Sequence, residues 1–129
     1  MLYFEEGGGN GIMRAIMDGK KTYCIDIDGV IAEMNGVCKT CKYESSTPMK
    51  DNIEKINKLY DDGHYIKYFT ARGMGTYNDD ANLANARWRE LTELQLRIWN
   101  CKYHELIMGK PSADYYIDDK AVNSNDFFN

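Results

Sequence analysis

Two acidic pairs each stand directly behind a short apolar or aromatic run: Asp26 and Asp28 near the start, Asp118 and Asp119 near the end. Tyr23, Cys24 and Ile25 precede the first pair, and Tyr115, Tyr116 and Ile117 precede the second. Short apolar runs that stop at polar residues read as buried strands. Carboxylates at the ends of such strands repel one another and resist burial unless a proton or cation compensates them. The chain is therefore constrained to a fold that gathers strand ends around a common point, and Mg²⁺ is a common compensating ion there.

Between the pairs lie two further polar clusters, Thr70-Ala71-Arg72 behind Phe69 and Gly109-Lys110-Pro111 behind Met108. A hydroxyl, an ammonium and four carboxylates, each at a strand end, make a set suited to phosphoryl transfer. Strands are expected at 22–27, 65–69, 106–108 and 115–117, the first central and apolar on both faces. A helix is expected to open at Thr47 as N-cap with Pro48 in its first turn. It would bury Ile53, Ile56 and Tyr60 and stop at Gly63. A second helix over 83–99 would bury Trp88, Leu91, Leu94, Ile98 and Trp99 and end at Asn100. Alternating strands and helices imply a Rossmann-like α/β fold, a parallel sheet with helices on both faces. Ligands in such sheets bind beyond the strands' carboxyl ends, where every polar cluster named above falls.

Residues 1–20 read as an N-terminal arm or linker, with Gly7, Gly8, Gly9 and Gly11 as a joint. No phosphate-loop spacing follows those glycines. Residues 21–129 form the single domain. Residues 30–47 lack a helical period and read as a flap too short to be a cap domain. Phe127 and Phe128 are expected to dock on the sheet. No fifth strand is visible, so the sheet is either abbreviated or completed by the arm or by another subunit.

A formal net charge of −4 argues against broad nucleic-acid binding. No apolar run approaches the ~20 residues of a membrane span, and the first residues lack the basic start of a secretory signal. The expectation is a soluble, cytoplasmic protein. Cys38, Cys41, Cys101 and His104 have the spacing of a Cys3His zinc site. The first pair belongs to the flap and the second leads into a strand, so reduced thiols are the simpler expectation, with Cys24 a small buried strand residue.

The order DxD, Thr, Lys, Asp-Asp resembles the haloacid dehalogenase (HAD) superfamily of phosphohydrolases. The wording is similar to that of the small capless phosphatases of capsule polysaccharide biosynthesis. The likeness rests on Ile25-Asp26-Ile27-Asp28-Gly29, Thr70-Ala71-Arg72 with Met74, Thr76 and Tyr77, Gly109-Lys110-Pro111, and Tyr116-Ile117-Asp118-Asp119-Lys120-Ala121. It spans about residues 22–128.

The resemblance implies a HAD-like, capless Mg²⁺-dependent phosphatase acting through an aspartyl-phosphate, on a sugar phosphate used in polysaccharide biosynthesis. Asp26 would be the nucleophile, and Asp28 would protonate the leaving oxygen and later deprotonate water. Thr70 and Lys110 would bind the phosphoryl group, with the Gly29 and Ala71 N–H groups assisting. Arg72 could fork onto a substrate anion or serve as a structural ion-pair partner. Asp26, the Asp28 carbonyl, Asp118 and Asp119 would hold the metal. With no cap, water exclusion would fall to the flap, the substrate or a neighbouring copy of the chain. Alternatives are a nucleotide phosphatase, a phospho-accepting module and a non-catalytic phosphate-binding module.

Overall fold

A computed structural model describes residues 19–34 and 43–129. The elements in chain order are β1 (Thr22–Asp26), β2 (Ala32–Glu33), β3 (Thr47–Pro48), α1 (Lys50–Asp61), β4 (Tyr65–Thr70), α2 (Ala81–Ile98), β5 (Glu105–Met108) and α3 (Ser124–Phe128).

β1, β4 and β5 form a three-stranded sheet in the order β1-β4-β5. Both pairings are parallel, with Asp26 opposite Phe69 and Thr70 opposite Met108. Parallel neighbours need long crossovers, and α1 and α2 supply them. Strand alternation divides the sheet. Ile25, Ile66, Tyr68 and Leu106 join one apolar cluster with Ile53 and Ile56 of α1 and Leu96 of α2. Both long helices therefore cover the same face, where helices on both faces were expected. Opposite it, Cys24, Lys67 and Glu105 lie in register across the three strands, and Lys67 pairs with Glu105 at 3.8 Å.

Three further expectations are corrected. The run 115–117 is not a strand, which leaves β1 at the sheet edge among the described strands and Cys24 exposed. The pair Thr47–Pro48 does not open α1. It forms β3, antiparallel to β2, with Glu33 opposite Thr47, because sheet pairing outweighs a local capping preference. That two-strand stem is the base of the flap. α1 begins after Met49, which makes no side-chain cap. Finally, α2 turns Ala84, Trp88, Thr92, Gln95 and Leu96 inward and leaves Leu94 and Ile98 exposed.

The helix stops fall where the sequence places them. Gly63, at φ +97°, follows the α1 cap, and Asn100, at φ +58°, follows that of α2. Asp80 caps α2, its carboxylate accepting from the N–H groups of Asn82 and Leu83. Phe127 and Phe128 do dock: Phe128 joins the core, and the Phe127 ring lies 5.8 Å from that of Tyr23. The zinc residues Cys38 and Cys41 and the arm residues 1–18 lie outside the described residues.

Candidate active site

The carboxyl ends of β1, β4 and β5 bring Asp26, Asp28, Thr70, Arg72 and Lys110 into one region. Asp26 closes β1, and its Oδ2 lies 3.3 Å from Lys110 Nζ. Its Oδ1 accepts the Ile27 N–H at 2.9 Å. Burial pushes the Asp26 carboxyl above its usual value, opposed by Lys110 and the Ile27 N–H and reinforced by Asp28. A partly desolvated carboxylate with one ammonium against it is poised for attack on an electrophile.

Lys110 is placed by backbone. The N–H groups of Gly109 and Lys110 both donate to the Thr70 carbonyl, at 3.2 and 3.0 Å. Gly109 has φ +98°, and a Cβ there would come within 2.9 Å of the Ala81 Cβ. Only glycine fits this left-handed turn against α2. The Lys110 ammonium then lies 4.0 Å from the centroid of the Tyr116 ring, a cation–π contact, and the Tyr116 hydroxyl donates to the Pro111 carbonyl at 2.6 Å.

Arg72 resolves the choice between its two expected roles. It is 1% exposed. Its Nε and Nη2 each donate at 3.0 Å to the two Asp28 oxygens. Its Nη1 donates to Thr92 Oγ1 and Gln95 Oε1, and its Cζ lies 5.0 Å from the Tyr43 ring centroid. The guanidinium is thus committed to the protein and fixes Asp28, so it is not a fork for substrate. Gln95 Nε2 also donates to the Tyr43 carbonyl at 2.7 Å, tying the returning arm of the flap to the same cluster. Sequence reasoning missed Thr92, Gln95 and Tyr43. The available signal was a pair of polar residues on the inward stripe of a helix, where a buried charge needs partners.

Two backbone expectations change. Gly29, at φ +88°, does turn the chain sharply, but its N–H donates to the Ala32 carbonyl at 2.8 Å and is not offered to a ligand. Thr70 is fully buried, and its hydroxyl oxygen accepts the Arg72 N–H at 3.1 Å. It shapes the turn that carries Arg72 and Lys110 rather than facing a phosphoryl group. Ala71 follows it, half-buried.

Asp118 and Asp119 do not join this constellation. Both are exposed. Asp118 accepts the Lys120 N–H at 2.7 Å, and that bond holds its carboxyl below the usual value. Among the described residues no three His, Cys, Asp or Glu side chains are arranged to hold a metal ion. Magnesium wants several oxygen ligands in near-octahedral array. Of the expected ligands, Asp26 and the Asp28 carbonyl lie at the strand ends, and such an ion is commonly held by one or two carboxylates with waters and a substrate phosphate.

Of the residues with zinc-site spacing, Cys101 and His104 are described. Burial pushes the Cys101 thiol up to about 11. His104 Nδ1 accepts the Ile66 N–H at 3.0 Å, and its ring stacks 4.6 Å from Tyr60 and 4.3 Å from Tyr65.

A cleft of about 500 Å³ opens beside Asp28, lined by Gly29, Ala32, Glu33, Met34 and Met49. Its walls are the turn after β1 and the stem of the flap. A larger cavity of about 550 Å³, lined by Ile53, Ile98, Trp99 and Asn100 among others, shares no residue with the site.

No family model matches the chain, and no curated protein matches it. Among solved structures, a structural-genomics target from Vibrio cholerae superimposes with a TM-score of 0.75 at 29% identity, covering 84% of this chain and 87% of that one. The likeness supports the α/β fold with its parallel sheet flanked by helices. No helix among the described residues is long and apolar enough to cross a membrane.

Proposed function

We propose that the chain is a phosphomonoester hydrolase of HAD type that works through an aspartyl-phosphate on Asp26. The observation that carries this reading is the contact between Asp26 and Lys110 at the strand ends, 3.3 Å, with Asp28 locked alongside by Arg72. An ammonium beside the attacking carboxylate offsets the repulsion between that anion and a phosphate.

In the first step an Asp26 oxygen bonds to phosphorus as the bond to the leaving oxygen breaks. That oxygen takes a proton from Asp28. In the second step water attacks phosphorus, Asp28 takes back a proton, and inorganic phosphate departs with Asp26 restored. Arg72 engages one lone pair on each Asp28 oxygen, and a carboxylate keeps further lone pairs for proton exchange. Arg72 and Thr70 are positioning residues in this scheme. Lys110 holds the phosphoryl oxygens as Asp26 attacks.

The substrate proposed is a sugar phosphate of surface-polysaccharide synthesis, hydrolysed in the cytoplasm. The open cleft between the β1 turn and the flap stem suits a leaving group larger than the phosphate itself. Magnesium dependence belongs to the proposal: Asp26 and the Asp28 carbonyl would hold the ion with waters and the substrate phosphate, and it would supply positive charge against the phosphoryl oxygens.

Phosphate release from a panel of phosphosugars and nucleotides tests the reading. Sugar phosphates should be turned over in preference, and acid-quenched protein should carry phosphate on Asp26 by peptide mass spectrometry. Phosphate found on another residue, or hydrolysis undiminished in Asp26→Asn, would remove the nucleophile assignment. Preference for nucleotides would replace the substrate class.

A further inference from the structure

We propose that the open edge of β1 is completed by residues 115–117 of a second copy of this chain, running parallel to β1. Asp118 and Asp119 of one copy would then stand beside Asp26 of the other. The acidic pair's part in metal binding rests on the phosphatase reading; the strand exchange does not.

Three observations carry the exchange. First, β1 pairs only with β4 among the described strands, so among the described residues its outer backbone groups are open to another strand. Cys24 in its middle is exposed. Second, the run best suited to fill it is unpaired: Tyr115 is 84% exposed and Ile117 97%. Such side chains belong to a buried strand by composition, and the acids behind Ile117 repeat the placement of Asp26 behind Ile25.

Third, one chain cannot readily make this pairing for itself. The strand must run parallel to β1 for its acids to reach Asp26. The chain leaves β5 at the site end, so it would have to pass β4 and β1 and return to the far end before starting. That path covers three strand spacings, about 14 Å, and a descent of about 10 Å. Parallel connections use about a dozen residues or more. Here 109–114 offers six, and they are held at the site end. The Ser112 N–H donates to Asp79 at 3.2 Å, and Tyr116 lies over Lys110. A neighbouring copy has no such return to make. Exchange of an identical segment about a two-fold axis fills both edges at once.

The test uses the full chain. Asp26→Asn and the double variant Asp118→Asn/Asp119→Asn are each assayed alone, then co-expressed and assayed as a mixture. Each alone should be inactive. In the mixture, half the dimers are mixed and each has one site with both wild-type parts, so about a quarter of wild-type activity should return. No recovery, with wild-type protein active, overturns the exchange and leaves the phosphatase reading intact.

An independent readout avoids activity altogether. Tyr116→Cys, oxidised in dilute solution, should give a covalent dimer in which Cys24 of one copy is joined to the introduced thiol of the other, identified by peptide mapping. A disulfide within one chain, or none at all, overturns the exchange. That covalent dimer, found alongside wild-type protein that hydrolyses no phosphomonoester, upholds the exchange and overturns the phosphatase reading instead.

Discussion

Asp26 and Arg72 carry the sharpest consequences at the scale of single residues. With its carboxyl raised chiefly by burial, folded Asp26 keeps a proton over a pH interval in which the unfolded chain has released it. Stability of the metal-free protein should therefore fall as pH climbs from about 4 through the raised value, and Asp26 should add no further slope above it. Asp26→Asn should abolish phosphate release and also flatten that decline, which urea denaturation across a pH series would show. A decline unchanged in the variant would assign it to another group. Arg72→Met leaves Asp28, Thr92 and Gln95 without their common partner. Breaking one side of a buried pair costs about 3–5 kcal/mol, so the denaturation midpoint should drop sharply. A loss below about 1 kcal/mol would mean the pair behaves as a surface ion pair.

Among the elements, the turn between β5 and the tail depends on Gly109. Gly109→Ala meets both a left-handed backbone at φ +98° and Ala81 at 2.9 Å. It should destabilise by about 1–3 kcal/mol and lower turnover by shifting the Lys110 ammonium. Equal turnover in the variant would show that Lys110 does not need this backbone. Asp80→Ala removes the side-chain cap of α2 and should cost about 1 kcal/mol without changing turnover; thermal melts and a phosphate-release assay check the two halves.

The same elements show what could be read from the sequence. The strands at β1, β4 and β5 and the ends of both long helices were legible, because apolar runs, Gly63 and Asn100 encode them locally. The gathering of Asp26, Thr70 and Lys110 at one end followed from parallel strands alone. Three things depended on contacts that no local pattern holds. Thr47 and Pro48 pair with Glu33 and Ala32 instead of starting a helix. The inward stripe of α2 passes through Thr92 and Gln95 because a buried guanidinium needs acceptors, which turns Leu94 and Ile98 outward. The run 115–117 has the composition of a strand, but it pairs with no described strand, which composition does not register.

For the molecule as a whole, the three-stranded sheet brings Asp26, an Asp28 fixed by Arg72 and the Lys110 ammonium to one end, and leaves Asp118 and Asp119 exposed and apart from them. The open β1 edge proposed to be filled by a second copy has a further consequence, independent of the substrate class proposed. If the missing ligands arrive with another copy, catalysis becomes second order in protein. Specific activity should fade on dilution and recover on concentration, and cellular abundance would then set whether the enzyme is on.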